Sequence, residues 1–325
     1  MKRREFITLL GGAAVAWPLA ARAQQAVKTY RIGFLGGADP VGYAAQLEAL
    51  RLGLQDHGYV VGKNVEIEYR WAEGRYERLP ALAAELVARK VDVIITQGTP
   101  AAVVAKQATT TVPIVMAVAG NPIESGIVTS LARPGGNITG SSVFTAELNG
   151  KRLELMQTLR PGLARAGALI HPDNAAMAEV LRTTEETARA LNITLQRVEV
   201  RAVEELDAAL AVAKSQVEAL IVVDEGLFVA NAGRIAQLAI KNGLPSIGFR
   251  GYCEAGGLAA YGVDFPHIWR RSMAFVDKIL KGVNPADLPI EQATRFELMI
   301  NLKTAKTLGL EVPPTLLARA DEVIE

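Results

Sequence analysis

A chain of 325 residues, half of them hydrophobic and 6% aromatic, is long enough for two domains with sizeable cores, and no stretch has the low complexity of a disordered segment. A formal net charge of +1 excludes the strongly basic balance of a nucleic-acid binder or an anionic-membrane binder. The single cysteine, Cys253, excludes an internal disulfide.

Met1–Ala23 reads as an export leader and is set aside from the fold. Lys2, Arg3 and Arg4 give a basic start, Phe6–Ala20 an apolar run, and Ala21-Arg22-Ala23 a small-x-small cleavage site after Ala23. The Arg3-Arg4 pair followed by Glu5-Phe6-Ile7 resembles a twin-arginine signal, which carries proteins across already folded. The run is short for a membrane span of about 20 residues and contains Pro18; an uncleaved anchor is the alternative. The leader holds four of the 35 basic residues and one of the 34 acidic, so the remainder carries 31 against 33, near −2. Cys253 lies far from the cleavage site, which leaves no lipid-anchored cysteine there. The expected location is therefore the periplasm, free in solution.

Beyond the leader, strands and helices alternate. Tyr30–Leu35 is a strand ending at Gly36-Gly37, and Asp39-Pro40 is a helix-start pair. Tyr43–His57 has helical spacing and stops at Gly58; Asn64–Trp71 alternates as a strand; Tyr76–Arg89 is a helix with Leu79, Leu82 and Leu86 on one stripe. Five of the six residues Val91–Thr96 are apolar or β-forming, too continuous for a strand wet on one face, and so belong to a parallel sheet covered on both sides. Gly98 makes the turn that follows, Thr99 is the expected N-cap and Pro100 the first helical residue. Pro113–Val118 is a strand running into Asn121-Pro122-Ile123-Glu124, a capping-box-like helix start, and Arg133–Val143 is a turn and then a strand. The pattern continues with helix Leu148–Leu159, strand Ala168–Ile170, helix Ala175–Leu191, strand Ile193–Val200 and helix Val203–Lys214. Past Phe249 the chain passes Gly251–Gly257. It then gives strand Leu258–Val263, helix Phe265–Lys281, a strand near Phe296–Ile300 and a short helix at Leu302–Leu308.

Val217–Phe249 repeats the sentence of Val91–Val118 about 126 positions on: VEALIVV for VDVIITQ, a turn at DEGLF for GTP, a helix at Val229–Asn242, and LPSIGF for VPIVMAV. Two such units point to two doubly wound α/β lobes with a ligand between them, at the carboxyl edges of their sheets.

The runs GTPAAVVAKQATTTVPIVMAV, NPIESGIVTSLARPGGNITG and YCEAGGLAAYGVDFPHIWRRSMAFVDKILKGVNPADLPIEQATRFELMINLKTAKTLGL resemble the ABC-transporter substrate-binding family whose better-known members bind tryptophan or tyrosine. The resemblance covers about residues 30–325. It implies a type I periplasmic-binding fold: two Rossmann-like lobes, three hinge strands, and closure on a small solute passed to an ABC permease and its ATPase subunits. On this chain, lobe 1 is 27–143 plus 264–287 and lobe 2 is 144–257 plus 290–325, with crossings near 140–145, 257–264 and 287–296. No cofactor is implied, and the expected state is a monomer. The loop Asp224-Glu225-Gly226-Leu227-Phe228 departs from the Asp-Pro-Leu-Phe of the family.

In the first lobe Gly37, Gly98, Thr99, Pro100 and Asn121 offer N–H groups and neutral polar side chains at helix starts, which suit a carboxylate. In the second lobe Asp224 and Glu225 end the central strand and Asp173 an outer one, so an ammonium finds its partner there, first at Asp224. A zwitterion, an amino acid with an aromatic or branched side chain, fits both walls. Asp224 capping its own turn is the competing account. Phe144, Phe228, Phe249 and Tyr252 fall near the same loops and would either stack on a ligand or pack in the core; Tyr43 has the same two readings. Ser141 and Ser142 follow Gly140 at the first crossing, where a hydroxyl would bond ligand or simply leave the hinge free to bend.

Two other classes compete. A sensor subunit of the same fold has the same sequence signals. An enzyme would have to use His171, the one histidine at a carboxyl edge, with Cys253; no metal-ligand spacing, nucleophile elbow or phosphate loop supports it. A transcription regulator of this fold needs a basic headpiece where this chain has a leader.

Overall fold

The structure is a computed structural model that describes residues 28–143 and 145–325; the leader over 1–23 and Phe144 lie outside them. In chain order the first half gives β1 (Tyr30–Gly36), α1 (Ala44–Asp56), β2 (Val65–Trp71), α2 (Leu79–Ala88), β3 (Val93–Gln97), α3 (Gly98–Ala108), β4 (Ile114–Ala119) and β5 (Ile138–Ser142). There follow α4 (Thr145–Leu159), β6 (Arg165–Ile170), α5 (Met177–Ala190), β7 (Thr194–Glu199), α6 (Leu206–Gln216), β8 (Ala219–Val222), α7 (Gly226–Ala230), α8 (Ala232–Lys241), β9 (Ser246–Gly248), α9 (Arg250–Glu254) and β10 (Ala259–Gly262). The chain ends with α10 (Phe265–Leu280), β11 (Glu291–Gln292), β12 (Glu297–Asn301), α11 (Leu302–Thr307), α12 (Pro314–Leu317) and β13 (Glu322–Ile324).

Two sheets result, ordered β11-β5-β4-β3-β1-β2 and β13-β12-β10-β9-β8-β6-β7. Each contains the same doubly wound run, β2-β1-β3-β4-β5 and β7-β6-β8-β9-β10, which is the structural form of the repeat in the sequence. Every pairing is parallel except β10 with β12. Burial on both faces follows from the unbroken apolar strands. Val93 and Ile95 join one core with Phe34 and Trp269, while Ile94 joins the other with Leu79 and Ala101. In the second sheet Leu220 and Val222 pack with Phe228 and Phe249, and Ala219 and Ile221 with Leu153 and Ile300. The chain leaves the first sheet after β5, returns from β10 through α10, which packs on α1 and β4, and leaves again between β11 and β12.

Local chemistry redirects some expected elements. Thr99 does not cap α3: Gly98 turns the chain at φ +81, and the Thr99 hydroxyl accepts the Gly120 N–H at 2.9 Å, tying the β3 and β4 exits together. Asn121 accepts from the N–H groups of Ile123 (3.2 Å) and Glu124 (3.4 Å), but the turn ends after one round at Gly126 (φ +68) and no helix follows. The helix expected from Val229 breaks at Asn231, whose amide donates to the Leu227 carbonyl at 2.8 Å. Gly251–Gly257, given no element from the sequence, holds most of α9.

Candidate functional site

The carboxyl edges of the two sheets face each other across a cleft lined by Gly98 and Thr99 on one side and Asp224 and Glu225 on the other. This is the position where doubly wound sheets take ligands, outside the switch points at β1/β3 and β6/β8. On the first wall, Gln97 ends β3 with a buried amide. Its oxygen accepts the Gly37 and Ala38 N–H groups at 2.9 and 3.4 Å, and its nitrogen donates to the Tyr43 hydroxyl at 2.9 Å. That hydroxyl in turn faces the Gly226 carbonyl of the other lobe at 3.5 Å. Trp269 of α10 stacks on Tyr43 with ring centroids 5.7 Å apart. Its indole N–H is buried and has no hydrogen-bond partner among the described residues.

The second wall carries the acids. Asp224 receives both arms of the Arg152 guanidinium, at 2.5 and 3.0 Å, and the two side chains are 2% and 0% exposed. Arg152 is further held by the Tyr261 carbonyl (2.8 Å) and the Asn149 side chain (3.0 Å), so α4 fixes this pair from behind. Glu225 is 1% exposed. One of its oxygens accepts the Leu227 N–H at 2.7 Å and the other accepts the hydroxyl of Tyr76, which comes from the opposite lobe. Among the described residues no Lys, Arg or His forms an ion pair with Glu225. Burial, and next the charge of Glu225, push the phenols of Tyr43 and Tyr76 well above the ordinary tyrosine value, so both stay protonated and donate.

The lobes touch directly. Tyr76 stacks on His171 with centroids 4.6 Å apart, the Asn121 amide donates to Glu179 at 3.0 Å, and Gly42 lies against Ala230 so closely that a Cβ there would stand 2.2 Å from the Ala230 backbone. The arrangement is a closed one.

Of the residues expected at the site, Gly37, Gly98, Thr99, Pro100 and Asp224 line the cleft. Phe228 and Phe249 lie beneath it in the core of the second lobe, and Ser142 is buried in β5, its hydroxyl without a hydrogen-bond partner among the described residues. Asn121 lies beside the cleft, with its amide engaged to Glu179. Tyr43 is core and cleft wall at once. Sequence reasoning passed over Gln97, Tyr76, Met177 and Trp269. Gln97 carried a usable signal, as an amide closing an apolar strand; Trp269 carried none, because α10 belongs to the first wall only through the topology.

His171 has both ring nitrogens against backbone groups, Nε2 at 3.1 Å from the Arg201 carbonyl and Nδ1 accepting the Asp173 N–H at 3.3 Å. Cys253 packs with Ala260 and Met299, and burial pushes its thiol up to about 12. Each of the two is thus held by its own neighbours, with no hydrogen bond between them among the described residues. Among the described residues no group of three His, Cys, Asp or Glu side chains is placed to hold a metal ion, and no helix is long and apolar enough to cross a membrane.

Residues 38–324 match the model of a family described as ABC transporter substrate binding protein. A tyrosine-binding protein of Clostridioides difficile (strain R20291) is 27% identical over 259 residues, spanning 79% of this chain and 74% of that one. A solved ABC domain from Streptococcus pneumonia in complex with L-Trp is 26% identical with a TM-score of 0.83, covering 91% of this chain and all of that one, 100%. A conserved domain protein from Vibrio cholerae O1 biovar El Tor strain N16961 has the same identity, 26%, and coverage, 91% and 100%, with a TM-score of 0.85.

Proposed function

The chain belongs to the ABC transporter substrate-binding protein family, with the two lobes of a type I periplasmic binding fold, and on that premise we propose that it captures an α-amino acid, aromatic or branched, for an ABC importer. The family and its solved neighbours are solute-binding proteins rather than enzymes. One observation carries the reading: the cleft opposes a wall of neutral donors at the Gly98-Thr99 turn, flanked by Tyr43, Tyr76 and Trp269, to a wall of acids at Asp224-Glu225. A zwitterion directs its carboxylate to the first and its ammonium to the second, and its side chain meets the rings. The tyrosine- and tryptophan-binding relatives support the same solute class.

Function is then a population shift toward the closed form, because only there does the solute meet both walls. Lobe 1 is 27–143 plus 264–287 and lobe 2 is 144–257 plus 290–325, bending near 140–145, 257–264 and 287–296, the last crossing containing β11, which pairs with β5 of the first sheet. The protein works as an exported monomer in the periplasm, its leader removed after Ala23, and presents the closed form to the permease and its ATPase subunits. A thermal-shift screen of amino acids tests this. A ligand at 100 times its Kd adds about 2.7 kcal/mol, which raises the melting temperature by about 5–10 °C. No shift with any amino acid refutes the reading.

A further inference from the structure

Two acids line the cleft, and they are not equivalent. Asp224 has both oxygens on the Arg152 guanidinium, at 2.5 and 3.0 Å, so its charge is met within its own lobe. Glu225 is just as deeply buried, yet its partners are a phenol and a backbone N–H, and among the described residues no cation pairs with it. Among the described residues no Lys or Arg lines the cleft. A buried carboxylate without a counter-charge is expensive, and here the deficit faces the space a solute would fill. The unpartnered Trp269 N–H in the opposite wall is an independent sign that this space is built for a bound molecule.

Resting on the amino-acid reading above, we propose that Glu225, and not Asp224, is the counter-ion for the solute's ammonium, so that the cleft selects its ligand by the amine more than by the carboxylate. The carboxylate meets only neutral N–H dipoles at the Gly98-Thr99 turn, whereas the ammonium completes a buried ion pair. Tyr76 holds the Glu225 carboxylate from across the cleft and so ties closure to the same group.

The test compares, by calorimetry on the purified full chain, L-tyrosine, L-tryptophan and L-leucine with their decarboxylated amines and their deaminated acids. For the best-bound amino acid, the amine stays within about tenfold of the parent while the acid falls about 100-fold or more. E225Q, nearly isosteric, weakens the amino acid and the amine about 10- to 100-fold and leaves the acid unchanged or tighter. Y76F weakens all three alike, because it loosens closure without touching the charge. The assignment is overturned if the acid binds as tightly as the amine, or if E225Q keeps the amino acid within twofold at an unchanged melting temperature. If no amino acid binds the unaltered chain, the amino-acid reading falls by itself. Amine binding that E225Q abolishes then upholds the counter-ion, and amines that also fail to bind overturn it.

Discussion

Replacing Asp224 by Ala removes the only carboxylate that pairs with Arg152 among the described residues, in a place where the arginine side chain is 0% exposed. The guanidinium keeps the Tyr261 carbonyl, the Asn149 side chain and a long contact to the Val222 carbonyl at 3.4 Å, all neutral. Leaving one member of such a pair charged and unmatched costs about 3–5 kcal/mol. For a folding unit the size of one lobe, about 150–250 residues, that lowers the melting temperature by about 6–20 °C. Circular dichroism melting and urea denaturation read it directly. The double variant Asp224→Leu with Arg152→Met removes the charge together with its partner and recovers most of the loss, since apolar replacement of a buried ion pair is often neutral. A single variant melting within about 2 °C of the unaltered chain, or a double variant worse than either single one, would refute the assignment of this pair as the clamp behind the acidic loop.

Three further outcomes follow from individual contacts. Gly42→Ala places a methyl 2.2 Å from the Ala230 backbone only while the lobes are shut, so it weakens amino-acid binding about tenfold or more with little change in unliganded melting. In X-ray scattering the ligand contracts the unaltered chain but not this variant. Gly140→Ala is different in kind: at φ +132 its Cβ would meet the Met116 carbonyl at 2.3 Å, backbone against backbone within one sheet. A loss of more than about 4 kcal/mol in the unfolding free energy from urea denaturation is expected, and a variant of normal stability would contradict it. The Cys253 thiol is raised from 9.0 to about 12, so the folded state holds that proton more tightly than the unfolded one. Its contribution is therefore complete below pH 9, and it declines as pH rises toward 12, by up to about 4 kcal/mol. Cys253→Ala flattens stability against pH across that window; an unchanged slope would sink the account.

The alternation of strands and helices was legible because buried parallel strands need unbroken apolar runs, and the 126-residue repeat announced two like sheets. The turn at Gly98, Thr99 and Pro100 was legible as a cleft edge, since glycine, hydroxyl and proline there fit a tight strand-to-helix exit. What Thr99 bonds to was not, because its partner Gly120 arrives from another loop. The same limit hid the neutralisation of Asp224: Arg152 lies 72 positions upstream on α4, and nothing in its own helix marks it as buried. Phe228 and Phe249 sit where sheet-edge aromatics sit, but the strand ends turn them inward to the core. Tyr76 and Trp269 reached the cleft by topology alone, one from a short helical turn after β2 and the other from a helix that returns from the second sheet.

The placement of the indoles has a practical consequence. The chain has three tryptophans, and Trp71 and Trp269 are the two among the described residues. Trp71 lies 4.8 Å from the Phe34 ring and 6.2 Å from Tyr43, while Trp269 is 5.7 Å from Tyr43, measured between ring centroids. All intrinsic indole emission from the described residues therefore originates beside the solute cleft. Its intensity and peak wavelength report the wetting and quenching of that one region, so titrations and stopped-flow traces can follow the receptor without any attached dye.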